Sequence, residues 1–354
     1  QCWTRDRAQF VVWVVFFLMI RRPPGSTQSR SSAASDVDKR QVLENDNLRA
    51  TFLLELGGRL WSLLHKPSGR ELLAVNPVFQ AANLAIRNAW FSGGVEWNIG
   101  FVGHSPFTCS PLFAARVEGP GGAPVLRLYE YERVRGVAFQ VDAYLPEGSP
   151  VLFVRPRITN PHDSEIPMYW WSNIAVPEHP ELRTLAPAAD ALSHPPGTGI
   201  LTVLPMPSPA GYDMSYPTNA PGAGEAFFRI PAEQRKWIAQ VDRQGKGLVH
   251  ASTSRLMGRK MFFWGMNQGG RRWQEQLSVD GHAYIELQGG LARTQLETVP
   301  MPGGERWSSP PPAGPVLRSS PSSFRHRHST CCARSSSACA SCTPARICGG
   351  GSTQ

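Results

Sequence analysis

Between positions 83 and 104 the chain reads Asn-Leu-Ala-Ile-Arg-Asn-Ala-Trp-Phe-Ser-Gly-Gly-Val-Glu-Trp-Asn-Ile-Gly-Phe-Val-Gly-His, which mixes Arg87, Glu96, Asn98 and His104 with Trp90, Phe91 and Trp97. Those residue types suit a sugar-binding loop. Glycines let the backbone fold tightly, aromatic rings offer flat apolar faces to the C–H side of a pyranose, and charged and amide groups hydrogen-bond its hydroxyls. The competing reading is an aromatic minicore under a long loop, with Glu96 paired to Arg87. A second stretch, Met168-Tyr169-Trp170-Trp171-Ser172-Asn173, places Tyr169, Trp171 and Asn173 on one face of a strand and Trp170 and Ser172 on the other. One of those faces has to be core.

Carboxylates supply a third set. Glu286 precedes Gln288 by two positions, and Glu275 and Glu297 sit in similar mixtures of aromatic and polar residues. Glu286, Gln288 and Glu275 can share one concavity, with Glu96 approaching from the loop. Two carboxylates about 5 to 9 Å apart around a sugar would make a glycoside hydrolase. The plainer alternative is a strand carboxylate satisfied by an arginine such as Arg293.

The elements that must position these residues are β strands. Leu48 to Leu54, Arg59 to Leu64, Val125 to Val134, Val137 to Leu145, Val151 to Thr159 and Ile166 to Val176 are short apolar or alternating runs. They are punctuated by Gly57-Gly58, Pro146-Glu147-Gly148-Ser149 and Asn160-Pro161-His162-Asp163. Further strands are predicted at 236–241, 247–252, 259–266, 271–278, 282–288 and 293–298. No amphipathic helix is available for parallel crossovers, so the pattern predicts antiparallel hairpins in a sandwich or barrel. Residues 177–226, rich in Pro, Gly and Ala, are expected to be a long irregular excursion over the surface. Nine tryptophans lie between 42 and 307, and some of these rings are expected to await a ligand or a partner surface, each burying about 150–250 Å² when enclosed.

Charge separates this middle from the ends. The chain holds 36 Lys and Arg against 27 Asp and Glu, but residues 42–306 hold 24 of each, so the formal charge of +9 comes entirely from outside them. A balanced middle fits a neutral ligand better than a polyanion, and nucleic acid is not expected as a partner. The apolar run at residues 10–20 would rise only about 16 Å as a helix, against a bilayer core of about 30 Å. Its Arg21-Arg22 follow the run where a signal peptide carries charge ahead of it, so no membrane span is expected. The text from Phe16 to Val37 resembles translated sequencing-adapter read-through, and residues 1–41 are read as an artefact. From residue 308 onward the composition turns to Ser, Pro, Arg and Cys, as in out-of-frame translation. Cys339 and Cys342 form a C-x-x-C there, but the flanking spacing matches no zinc or disulfide framework. Neither metal nor cofactor is expected, and Cys109 alone within the domain leaves the compartment open.

Two stretches carry a family resemblance. Gly57-Gly58-Arg59-Leu60-Trp61-Ser62-Leu63, followed by Lys66-Pro67-Ser68-Gly69-Arg70-Glu71-Leu72-Leu73, resembles the opening of sugar-mutarotase-like domains. Tyr284-Ile285-Glu286-Leu287-Gln288, then Met301-Pro302-Gly303-Gly304-Glu305-Arg306-Trp307, resembles the closing strands of aldose 1-epimerases. More closely, residues 42–307 resemble an uncharacterised bacterial domain family that often precedes tetratricopeptide repeats. Ala89 to Asn98 and Tyr169 to Asn173 are its most specific motifs.

The resemblance implies an all-β fold, an antiparallel β-supersandwich of the galactose mutarotase-like type with disordered ends, carrying its site on the concave face of the larger sheet. It implies a general base at Glu286. It also implies a carbohydrate ligand and a C-terminal repeat region as partner. One departure stands out, because the epimerases begin the aromatic-Asn strand with a catalytic His and this chain has Tyr169 there. Tyr169, or His104 if its loop folds over the sheet, is then the candidate acid beside Glu96. Arg87, Trp90, Trp97, Asn98, Trp171, Asn173 and Gln288 are the candidate ligand contacts. The alternatives are a glycoside hydrolase and a non-catalytic glycan or protein recognition module.

Overall fold

The computed structural model describes residues 40–82, 90–194, 200–209, 211–308 and 316–319. The expectations placed on residues 1–39, on Arg87 and on the cysteine-bearing tail lie outside them. Two antiparallel sheets carry nearly all of the regular structure. The larger runs in the order Arg40–Glu44, Leu48–Leu53, Arg59–His65, Val95–Ile99, Trp170–Pro177, Tyr284–Gly290, Gly258–Phe263, Gly224–Phe228, Asp190–Ser193, Thr202–Pro205. The second includes Lys236–Val241, Gly247–Ser252, Val151–Thr159, Val137–Tyr144, Pro124–Glu132 and Phe113–Glu118. Val316–Ser319, past the 307 boundary, pairs with both Gly247–Ser252 and Val151–Thr159.

Alternation decides which side chains meet between the sheets. Val95, Trp97, Trp170, Ile174, Val176, Ile285 and Leu287 from the larger sheet join Leu128, Phe139, Val141, Leu152, Val154 and Ile158 from the second in one core cluster. Each is held there by the period of two along its strand. Val151–Thr159 shows the rule cleanly, with Leu152, Val154, Pro156 and Ile158 buried and the residues between them half-buried. The turn after it is fastened by Asn160, whose side-chain amide donates to the carbonyls of Ser164, Met301 and Pro302 at 3.0, 3.1 and 2.9 Å.

Three expectations need correction. Residues 271–278 are the later part of an α-helix, Gln268–Leu277, and its C-cap Ser278, rather than a strand. Asn267 caps it by accepting from the Gly270 amide at 2.8 Å. The Gln274 side chain then joins both backbone groups of Tyr284, donating at 2.7 Å and accepting at 3.3 Å. Glu275 is exposed on that helix and does not share the sheet concavity. Residues 177–226 are not wholly irregular, since Asp190–Ser193, Thr202–Pro205 and Gly224–Phe228 add three strands to the larger sheet. Residues 293–298 form turns instead of a strand.

Trp97 is also corrected, from ligand contact to core. It shares parity with Val95 and Ile99, stacks on Trp170 with centroids 6.4 Å apart, and donates its indole N–H to the Gly58 carbonyl at 3.0 Å. Trp97→Ala is therefore expected to destabilise the fold by about 3–5 kcal/mol. Urea unfolding checks this, and a loss below ~0.5 kcal/mol, as at an exposed position, would return Trp97 to the surface.

Candidate functional site

The residues left over by that alternation face away from the second sheet, on the opposite side of the three central strands. Register arranges them in rows. Glu96 pairs with Asn173, Asn173 with Gln288, and Gln288 with Lys260, so these four side chains cross four strands in line. One row along, Glu286 lies between Ala175 and Phe262. On the other side Asn98 pairs with Trp171, which pairs with Gly290, which pairs with Gly258. Neighbours in such rows have Cβ atoms about 4.5–5.5 Å apart, near enough to interact directly.

The two glycines opposite Trp171 make room for its indole. A Cβ on Gly290 would meet the ring at 2.1 Å, and one on Gly258 would meet it at 2.5 Å. The ring is fully buried against Phe227 and half-buried Leu192, together with Tyr169.

The loop from Gly100 to His104 folds back over Glu96. Gly100 turns it with φ +83°, where a Cβ would stand 2.4 Å from the Glu132 carboxylate, so only glycine fits. Asn98 fixes the return by accepting the Ser105 amide at 2.8 Å. That bond gives Asn98 a positioning role and occupies its oxygen. His104 Nδ1 then lies 2.8 Å from Glu96 Oε2, the Trp90 indole N–H donates to the same oxygen at 3.2 Å, and the Trp90 and His104 rings lie 4.8 Å apart. Arg59 stands 3.9 Å from Glu96 Oε1, and its guanidinium is itself held by the carbonyls of Phe91 and Gly93 and by the Thr108 hydroxyl.

These surroundings set the charge states. Burial alone would raise the Glu96 carboxyl, but His104, Arg59 and Thr108 outweigh it and hold the group at about 2. Burial pulls His104 down, yet Glu96 and then Glu286 leave it above its ordinary value. Glu96 and His104 therefore form an ion pair. Glu286 behaves oppositely. It is only 6% exposed, and burial raises its carboxyl with Glu96 adding to the rise, while His104, Lys260 and Gln288 offset only part. Gln288 donates to Glu286 at 2.7 Å and accepts from Gln295. Lys260 donates to Gln295 at 2.6 Å and pairs with Glu225 at 2.6 Å. A continuous chain of polar groups thus runs from Glu286 to Glu225. No arginine bonds Glu286 among the described residues.

Among the described residues, the buried polar atoms on this face that make no close hydrogen bond include Trp171 Nε1, Asn173 Oδ1 and Glu96 Oε1, the last of these facing Arg59 at 3.9 Å. Buried polar groups are ordinarily satisfied, so these atoms are exceptions on an otherwise paired face. Burial drives the Tyr169 phenol well above its ordinary range, which removes it as an acid at neutral pH. The helix Gln268–Leu277 closes one flank, where Trp90, Ala175, Trp264, Leu277 and Tyr284 form a separate apolar cluster.

The fold brings together Glu96, Asn98, His104, Trp90, Tyr169, Trp171, Asn173, Glu286 and Gln288. It excludes Trp97 and Glu275. Lys260, Gln295 and Arg59 were missed by sequence reasoning. The Lys260 signal was present in Gly258-Arg259-Lys260-Met261-Phe262-Phe263, where an apolar strand carries two adjacent charges that alternation must send to opposite faces. No group of three or more His, Cys, Asp and Glu side chains among the described residues could hold a metal ion. Among the described residues no helix is long and apolar enough to cross a membrane.

A face-to-face pair of antiparallel sheets with this polar face on the larger one is the galactose mutarotase-like fold. A galactose mutarotase-like protein of Clostridium acetobutylicum is similar at TM-score 0.55 and 11% identity, over 78% of this chain and 93% of that one. Another from Lactobacillus casei is similar at TM-score 0.51 and 10% identity, over 79% and 99%. A TPR-domain containing protein of Parabacteroides distasonis is similar at TM-score 0.69 and 23% identity. That likeness covers 79% of this chain but 46% of that protein, so this chain spans less than half of its length. The family itself is identified by the match of residues 28–302 to the model described as a domain of unknown function (DUF5107). The chain belongs to that family.

The ion pair has a pH signature. Glu96, depressed from 4.5 to about 2, contributes stability that is present above pH 4.5 and lost as pH falls through its folded value. His104, raised above 6.5, contributes stability that is full below pH 6.5 and lost as pH rises through its folded value. The stability difference between the native chain and His104→Gln should accordingly be greatest between pH 4.5 and 6.5. Urea midpoints across pH 3–9 measure it, and a difference that does not change with pH would mean that no ion pair forms.

Proposed function

We propose that this domain processes a carbohydrate by proton exchange, with Glu286 as general base and the His104 imidazolium, held by Glu96, as general acid. The observation that supports this reading is that two proton carriers on one sheet face are both raised by their surroundings. Glu286 is a carboxyl raised by burial, and His104 is an imidazole raised by an ionised partner. Each shift suits its role, because a raised carboxyl is a stronger base and a raised imidazole keeps its proton nearer neutral pH.

On a cyclic aldose the balance is simple. Glu286 takes the proton of the anomeric hydroxyl, the bond from the anomeric carbon to the ring oxygen breaks, and His104 protonates that oxygen. The open-chain aldehyde then rotates and recloses by the reverse transfers. Asn173 Oδ1 and Trp171 Nε1, unpaired and buried on the same face, would accept from and donate to the sugar hydroxyls. Two-carboxylate hydrolysis fits less well. Glu96 stays ionised, with one oxygen engaged by His104 and Trp90, so it cannot serve as an acid and is poorly placed as a nucleophile.

Polarimetry of freshly dissolved α-galactose and α-glucose, corrected for the spontaneous rate, tests this. Turnover should rise with pH as Glu286 ionises above 4.5 and fall as His104 loses its proton above 6.5. Glu286→Gln should lower it by about 10²–10⁴-fold with the fold intact. A pH-independent rate, or a Glu286→Gln chain as active as the native one, would dismiss the assignment.

A further inference from the structure

The outward face of the second sheet carries a separate feature that the proton-transfer reading does not use. An open groove of about 480 Å³ crosses its last four strands, within the 300–1,000 Å³ range of ligand sites. One row of paired residues runs Phe113, Tyr129, Gln140, Arg157 across them, and the next runs Tyr131, Ala138, Thr159, Arg306. Ala138 and Thr159 are small, so the floor between the rings and the guanidinium groups is low.

The rings are unusually wet for their size. Phe113 is 60% exposed, Tyr129 41% and Tyr131 46%. Phe113 and Tyr129 stack with centroids 5.5 Å apart and planes inclined by 23°. Each ring covers part of one face of the other, and the pair leaves its remaining apolar faces and edges to solvent.

Charge on this face is unbalanced. Arg127, Arg155, Arg157 and Arg306 stand with two carboxylates, Asp142 and Glu130. Asp142 is already committed to Arg127, at 2.7 and 2.8 Å, and to the Gln140 amide at 3.1 Å. Glu130 accepts the Tyr131 backbone amide at 2.7 Å. Arg157 reaches only the Gln140 oxygen at 3.4 Å, and Arg155 only the Ser308 hydroxyl at 3.3 Å, among the described residues. Burial and then the neighbouring Arg155 pull the Arg157 guanidinium below its ordinary value, as expected where positive charge lacks a partner.

We propose that this groove binds an acidic oligosaccharide, whose pyranose rings stack on Phe113 and Tyr129 while its carboxylates meet Arg157 under the field of Arg155 and Arg306. An acidic peptide is the less favoured occupant. Protein interfaces centre on anchors buried in pockets, whereas here the rings stand proud of a shallow floor lined by an amide and a hydroxyl.

Calorimetric titration of the full chain with tetragalacturonate tests the proposal, with galactotetraose and hexaglutamate as comparisons. Tetragalacturonate should bind at least about tenfold more tightly than the neutral tetrasaccharide and weaken as salt is raised. Arg157→Gln and Phe113→Ala should each weaken it by about tenfold while leaving turnover at the Glu286 site unchanged. Phe113 is exposed enough that its truncation cannot unfold the sheet, so it decides the matter if the arginine variant is unstable. The proposal is overturned by an absence of binding near millimolar concentration, by affinity that neither variant alters, or by hexaglutamate binding as tightly, which would point to a protein partner.

Discussion

The strands Val95–Ile99, Trp170–Pro177 and Tyr284–Gly290 are buried on both faces, and the rest of the larger sheet is arranged around that constraint. On the side toward the second sheet, burial is apolar and favourable by about 25 cal/mol for each Å² removed from water. On the other side the same strands carry Glu96, Asn98, Asn173, Glu286 and Gln288, and charges there are costly unless paired. The loop that returns at Gly100, the buried Arg59 and the chain through Gln295 to Lys260 are the means by which most of those groups are satisfied.

This division gives the polar face its chemistry. Glu96 is so completely neutralised that it stays ionised and holds a proton on His104. Glu286 receives less compensation and is the easier of the two carboxyls to protonate. The difference arises from position alone, since both are glutamates on central strands of one sheet, with Trp170–Pro177 between them. Buried atoms on Trp171 and Asn173 are left without a hydrogen bond beside them. The Trp171 indole is admitted only because Gly258 and Gly290 leave a notch two strands wide.

The outward face of the second sheet obeys the same alternation with a different outcome. Val151–Thr159 sends Leu152, Val154 and Ile158 inward and Arg155 and Arg157 outward. Among the described residues its rings are exposed and its arginines half-buried or exposed. The two faces therefore differ in dielectric as well as in residue type.

Much of this was legible in the chain. Strands such as Val137–Tyr144 and Val151–Thr159 announce themselves because a half-buried strand must alternate, and the shared face of Tyr169, Trp171 and Asn173 follows from the same period. Gly224–Phe228 and Asp190–Ser193 were hidden, because short strands among prolines and glycines carry too few residues to show a period. The helix Gln268–Leu277 was hidden for a different reason. Ten residues hold a helix poorly on their own, and it is fastened by Gln274 on Tyr284, by buried Leu277 and by Trp273 stacked 5.5 Å from Trp264. Trp97 could not be assigned to a side from its type, since an indole serves core and ligand equally. By itself the sequence determined the sandwich, the parity of its central strands and the supply of acid and base groups, because these depend on local periodicity. Only the tertiary structure decided which parity met the second sheet, that His104 rather than Tyr169 reached Glu96, and that Lys260 joined the row. Those outcomes depend on register between strands distant in sequence, which no local pattern encodes.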